Sequence, residues 1–152
     1  MKRMAVYGIA VVLMAACAAG CGKGSYGGLK YGDIVPGDWL QANVVDAKTM
    51  KRAMWFQIFD QKGDDSIVSY YKKSSETVAG YPANVNKDKW IWILINNRIE
   101  IRLLADDEHP DFQKTEKLAE FLKRFDLTGL SKIDGAKVQG SALRKYMPKL
   151  GS

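Results

Sequence analysis

From Lys89 to Asp106 the chain reads KWIWILINNRIEIRLLAD, two runs of β-branched, aromatic and aliphatic residues parted by a pair of asparagines. Asparagine tolerates the left-handed backbone of a tight turn, so the stretch predicts a β-hairpin centred on Asn96 and Asn97. A turn centred there sets Leu94 opposite Ile99, Trp92 opposite Ile101 and Trp90 opposite Leu103, and that wholly apolar face is the expected core. The other face carries Ile91, Ile93 and Ile95 beside Arg98, Glu100 and Arg102. The first strand is thus apolar on both sides, and its isoleucines require a cover.

Upstream, Asp38–Val45 (DWLQANVV) opens after the turn signal PGD, and Ala53–Asp60 (AMWFQIFD) is rich in residues that suit a pleated surface; both are predicted strands. The polar QKGDD segment leads to Ser66–Lys73 (SIVSYYKK), whose branched and aromatic residues predict a strand hairpinned onto the one before it. A shorter strand is expected in Glu76–Pro82. Downstream, Phe112, Leu118, Phe121, Leu122 and Phe125 recur at helical spacing within His109–Leu130. Pro110 and Asp111 stand at the start and Lys123 and Arg124 near the end, as the helix dipole favours. This amphipathic helix should stop between Phe125 and Gly129 and cover the sheet, and Ser141–Leu150 reads as a short helix or turn stopped by Pro148. Strands first and helix last imply an α+β fold: an antiparallel sheet of about five strands, in hairpins, packed against one C-terminal amphipathic helix.

The first 20 residues follow another pattern. Lys2 and Arg3 precede a dozen apolar residues, Ala5–Ala16, and then small residues. A span of about 20 apolar residues is needed to cross a bilayer, so this shorter run reads as an export signal. The expected organisation is a signal peptide over 1–20, a glycine-rich tether over 21–33 and one α+β domain over 34–152. Of 152 residues, 47% are hydrophobic and 26% charged, which suits a folded domain and argues against a disordered chain.

The two cysteines, Cys17 and Cys21, both lie in or just after the signal, where a disulfide would close only a tiny loop. The segment Ala18–Cys21, AAGC, resembles the lipobox of bacterial lipoproteins, with Ala18 where leucine is most frequent. The resemblance implies that Cys21 carries diacylglycerol on sulfur and, after cleavage, an N-acyl chain. MAAC, ending at Cys17, is the competing match; Gly20 before the cut and the polar tether after it favour Cys21. Two or more acyl chains anchor a protein stably on a bilayer. By similarity to the enterobacterial sorting rule, Gly22 in place of aspartate implies the outer membrane over the inner, with the domain facing the periplasm.

Charge adds one local feature. The formal charge is +6, and basic residues gather near the C-terminus at Lys132, Lys137, Arg144, Lys145 and Lys149, against Asp134 alone. Such a patch is either solvated surface or a site for an anionic partner.

Candidate chemistry is sparse. His109, the one histidine, sits among Asp106, Asp107, Glu108 and Asp111, a set that would suit a cation. Its spacing matches no ligand pattern, and acidic residues just before a helix are stabilised by its dipole, so no metal or other cofactor beyond the lipid is expected. The same carboxylates are the only nameable candidates for a lipid-tethered envelope hydrolase. No G-x-S-x-G nucleophile elbow is present, and no nucleic-acid partner is expected for an exported chain. Tyr81, in AGYPAN, is the aromatic candidate for ligand contact. The expectation is a non-enzymatic, membrane-anchored lipoprotein that binds an envelope partner or serves envelope assembly. A hydrolase and a surface exclusion or inhibitor lipoprotein are the alternatives.

Overall fold

The structure, a computed structural model, describes residues 28–107, 109 and 112–151. The signal, the lipobox and both cysteines lie outside the described residues. Seven strands form one antiparallel sheet: β1 (Leu29–Pro36), β2 (Leu40–Asp46), β3 (Arg52–Asp60), β4 (Glu76–Val78), β5 (Tyr81–Asn86), β6 (Trp90–Ile95) and β7 (Ile99–Ala105). Their order across the sheet is β1-β2-β3-β7-β6-β5-β4. The class is α+β as expected, but the sheet has seven strands where about five were expected. β1 takes up part of the stretch read as spacer, and Glu76–Pro82 belongs to two strands.

Helix α1 (Asp65–Lys72) replaces the strand expected at Ser66–Lys73. The Asp64 carboxylate accepts from the backbone N–H of Ser66 and Ile67, Asp65 lies in the first turn and Lys72 in the last, so cap and dipole both favour a helix. Tyr71 is the one buried residue of α1, which is why strand-like composition lost to capping. The topology also requires a crossover: β3 pairs with β7 inside the sheet, and the chain must then reach the far edge at β4.

The hairpin at Asn96 and Asn97 forms, with φ of 49° and 55° at the two asparagines, and Arg98 N–H donates to Ile95 O at 3.0 Å. The first cross-strand pair, however, is Ile95 with Ile99, followed by Leu94 with Glu100, Ile93 with Ile101 and Trp92 with Arg102. The loop has three residues, and a shift of one residue in pairing exchanges the two faces. The isoleucines Ile91, Ile93, Ile95, Ile99 and Ile101 are the core, each at 0 or 1% exposure, while the tryptophans lie on the opposite face.

The three-residue loop keeps Arg98 outside the ladder, at one end of the sheet. Asp60, the last residue of β3, is 2% exposed and needs donors in place of water. Arg98 supplies Nε at 2.9 Å and Nη2 at 2.7 Å. The backbone N–H of Val138 adds a bond at 2.8 Å and that of Lys62 one at 3.0 Å. Arg98 also donates to the carbonyls of Ala136 and Ile133. Burial by itself would raise the Asp60 carboxyl, but these bonds outweigh it and hold its pKa below the ordinary value.

The core face is covered by α2 (Thr115–Leu122), α3 (Leu127–Ser131), α4 (Gly140–Leu143) and a 3-10 turn (Arg144–Tyr146). The single helix expected within His109–Leu130, stopping between Phe125 and Gly129, ends earlier, at Leu122, and a separate α3 follows Asp126, whose carboxylate accepts from Gly129 N–H at 2.8 Å. Phe56 of β3 meets Phe125 edge to face, with ring centres 4.8 Å apart. Gly140 is obligatory at α4, since a Cβ there would press on the backbone of Trp39 and Leu40. No helix of the described residues is long and apolar enough to cross a membrane.

Replacing Asp60 by Asn is expected to lower the unfolding free energy, from urea titration at pH 7, by about 3 kcal/mol, because Arg98 loses its buried counter-charge. A carboxyl held low in the native state contributes stability above its unfolded pKa of about 3.9, and that contribution is lost as pH falls through the native value. The gap between wild type and Asp60→Asn should therefore narrow on acidification below about pH 4.

Candidate functional site: the aromatic face of the sheet

Alternate residues of a strand share a face, so the side opposite the core is read directly from the register. One row runs Gln41, Gln57, Arg102, Trp92 and Asn84 across β2, β3, β7, β6 and β5; the next runs Asn43, Trp55, Leu104, Trp90 and Asn86. Trp39, just before β2, joins this side by packing on Phe59 with ring centres 5.7 Å apart. All four tryptophans of the chain thus stand on one face.

Arg102 organises its centre. The guanidinium lies 4.8 Å from the ring centre of Phe59 and 4.6 Å from that of Trp92, so it is held between two π faces. Trp92 stacks on Trp90 at 4.3 Å. Beneath them Glu100 is 1% exposed. It accepts from Tyr71 Oη at 2.8 Å, Gln61 Nε2 at 2.7 Å and Arg102 Nη2 at 3.0 Å. Tyr71 is how α1 is tied to this side: burial, and then the Glu100 charge, push its phenol pKa up, which keeps the hydroxyl a donor.

Beyond α1 the face is less covered. Gln41, Asn43, Trp55 and Gln57 are half-buried, and Gln57 Nε2 donates to Gln41 Oε1 at 2.9 Å. Asn84 Nδ2, Trp92 Nε1 and Arg102 Nε are buried and have no acceptor among the described residues, and they sit on three successive strands of one row. Unpaired buried donors are costly. The arrangement is a rigid platform of aromatic rings, amides and one guanidinium, with a composition like that of interface centres, where aromatic residues and Arg are enriched and Lys and Asp depleted.

The residues singled out from sequence lie elsewhere. Tyr81 packs against the core cluster at partial burial. Asp106 is 9% exposed and pairs with Arg52, Asp107 is exposed, and His109 Nε2 lies 3.9 Å from Asp46 Oδ2. Glu108 and Asp111 lie outside the described residues. The described His, Asp and Glu residues form no cluster of three that would hold a metal. Trp90 and Trp92 were expected on the core face and instead lie on the opposite one, with Trp55 and Phe59 beside them. The alternation of Gln41, Asn43 and Gln57 with apolar residues was the available signal.

Compared with family models, curated proteins and solved structures, the chain matches none.

Removing one charge of the Glu100 and Arg102 pair should cost more than removing both. Arg102→Met is expected to destabilise by about 3 kcal/mol, because Glu100 stays buried with less compensation, and Glu100→Gln combined with Arg102→Met should recover at least about 1 kcal/mol of that loss. Urea unfolding of the two single variants and the double variant measures the coupling directly.

Proposed function

We propose that this chain is an exported lipoprotein, anchored through acyl chains on Cys21, whose aromatic sheet face binds an envelope partner without catalysis. The domain faces the periplasm, with the outer membrane the favoured location because Gly22 and not aspartate follows the cysteine. The observation that carries the binding role is the gathering of all four tryptophans with Arg102 on one sheet face. A protein that needed these rings only for stability would place them toward the helices, where Phe56, Phe121 and Phe125 are. The partner packs on the half-buried Trp55 ring and meets the side-chain amides of Gln41, Asn43 and Gln57, which suits a protein backbone or a glycan equally.

The hydrolase alternative gains nothing from Asp106, which is committed to Arg52. A surface exclusion or inhibitor lipoprotein would use the same face and differs only in the partner it blocks.

Two readouts test the proposal. Metabolic labelling with a lipid precursor should mark wild type and Cys17→Ser and leave Cys21→Ser unlabelled; label kept by Cys21→Ser and lost by Cys17→Ser would transfer the anchor to Cys17. A photo-crosslinker at Gln57 in intact cells should give a defined adduct that Trp55→Ser reduces about tenfold, the effect of losing one interface anchor. A probe at Lys72, exposed on α1, should give none. Absence of any Gln57 adduct, or one insensitive to Trp55→Ser, overturns the binding role.

A further inference from the structure

The end of the chain folds back on its beginning. Tyr31, two residues into β1, donates its hydroxyl to Pro148 O at 2.6 Å. Burial raises the Tyr31 pKa, so the hydroxyl remains a donor. Around this contact Arg144, Lys145 and Lys149 stand exposed at the rim of a shallow cleft floored by Ile34, Met147 and Leu150. An adjoining cleft shares Lys145 and Lys149 and adds Arg124, which donates to Lys149 O at 3.3 Å. Asp126, the acid lining it, is turned to the Gly129 N–H as the cap of α3.

We propose that this basic end of the domain lies on an anionic bilayer, with Arg144, Lys145 and Lys149 among the lipid phosphates. Two arguments carry it. The first is charge complementarity: each basic side chain near such a surface raises partition about fivefold, and three exposed ones share this rim. The second rests on the reading of Cys21 as the anchor. Residues 22–28 separate Cys21 from Leu29, the first residue of β1. Seven residues span at most about 25 Å when fully extended. Tyr31, which lines the basic cleft, follows two residues later, so the tether enters the fold beside the patch. A lipid held at Cys21 keeps that end of the domain within reach of the surface, and basic side chains add an electrostatic signal to the acyl chains, a combination that holds a protein stably on a bilayer.

The test uses the full lipoprotein purified from membranes and reconstituted into vesicles of phosphatidylcholine alone or with about 30% phosphatidylglycerol, enough to set a negative surface potential. Amine-reactive labelling, read by mass spectrometry, should find Lys145 and Lys149 protected about threefold or more in the anionic vesicles and not in the neutral ones. The protection should disappear at about 0.5 M salt, with Lys72 and Lys73 unchanged throughout. Arg144→Ser should weaken the protection of Lys145 and Lys149, since it removes one of the three charges. Equal labelling in both vesicle types overturns the inference. So does protection found only in whole envelopes, which would assign the patch to a protein partner. The mass of the N-terminal peptide from the same preparation reports the acylation of Cys21 separately. If Cys21 carries no lipid, the protein added to preformed anionic vesicles must still show salt-sensitive protection of Lys145 and Lys149, or the inference falls on its own account.

Discussion

Asp60 is the constraint on which the rest of the fold depends. A carboxylate at 2% exposure has no water to solvate it, so the chain must bring donors to it. The donors come from three places far apart in sequence: Arg98 in the turn before β7, Lys62 just after β3 and Val138 ahead of α4. Arg98 in turn satisfies two carbonyls of the C-terminal loop, at Ile133 and Ala136. One buried charge thereby ties the central strand, the β6–β7 turn and the C-terminal segment into a single node. With Arg98 in the turn, the β6–β7 ladder begins at Ile95 and Ile99.

That register decides which side of the sheet is core and which is surface. With Ile95 opposite Ile99, five isoleucines of β6 and β7 face the helices, and Glu100 and Arg102 face the other way together with Trp90 and Trp92. The second face then has its own buried carboxylate to satisfy, and Glu100 recruits Tyr71, Gln61 and Arg102. Tyr71 arrives on α1, the crossover that carries the chain from the middle of the sheet to its far edge. A helix required by topology thus also completes the polar network. What α1 leaves less covered is a half-buried surface of tryptophan, amide and guanidinium groups. Its donors outnumber the acceptors the protein offers them.

The two surfaces singled out differ in physical character. The sheet face is held by stacking and by buried hydrogen bonds, so its geometry is rigid and its selectivity would come from shape and donor placement. The basic end is exposed, and its side chains act through a field that salt screens. Under the proposed lipoprotein reading, the first would choose a partner and the second would set the pose of the domain on the bilayer.

The sequence by itself determined the class and most of the strands: the turn at Asn96 and Asn97, the apolar runs on either side of it, the strands around Leu40 and Phe56, and the apolar stripe of Leu118, Phe121 and Leu122. These are local signals, because each depends on neighbours within a few residues. The register was not local. Trp90 to Ile95 is apolar on both faces, so either pairing buries hydrophobic side chains, and the pairing found keeps Arg98 in the turn, where it meets the distant Asp60. The helix at Asp65–Lys72 was legible in the cap at Asp64 but masked by strand-forming residue types. The candidate site was legible only as composition: the tryptophans were visible, but which side of the sheet they line follows from the strand registers, in which Arg98 stays in the turn beside Asp60. Tertiary structure alone decided that, because a buried carboxylate must be paired with whatever donor the fold can bring to it.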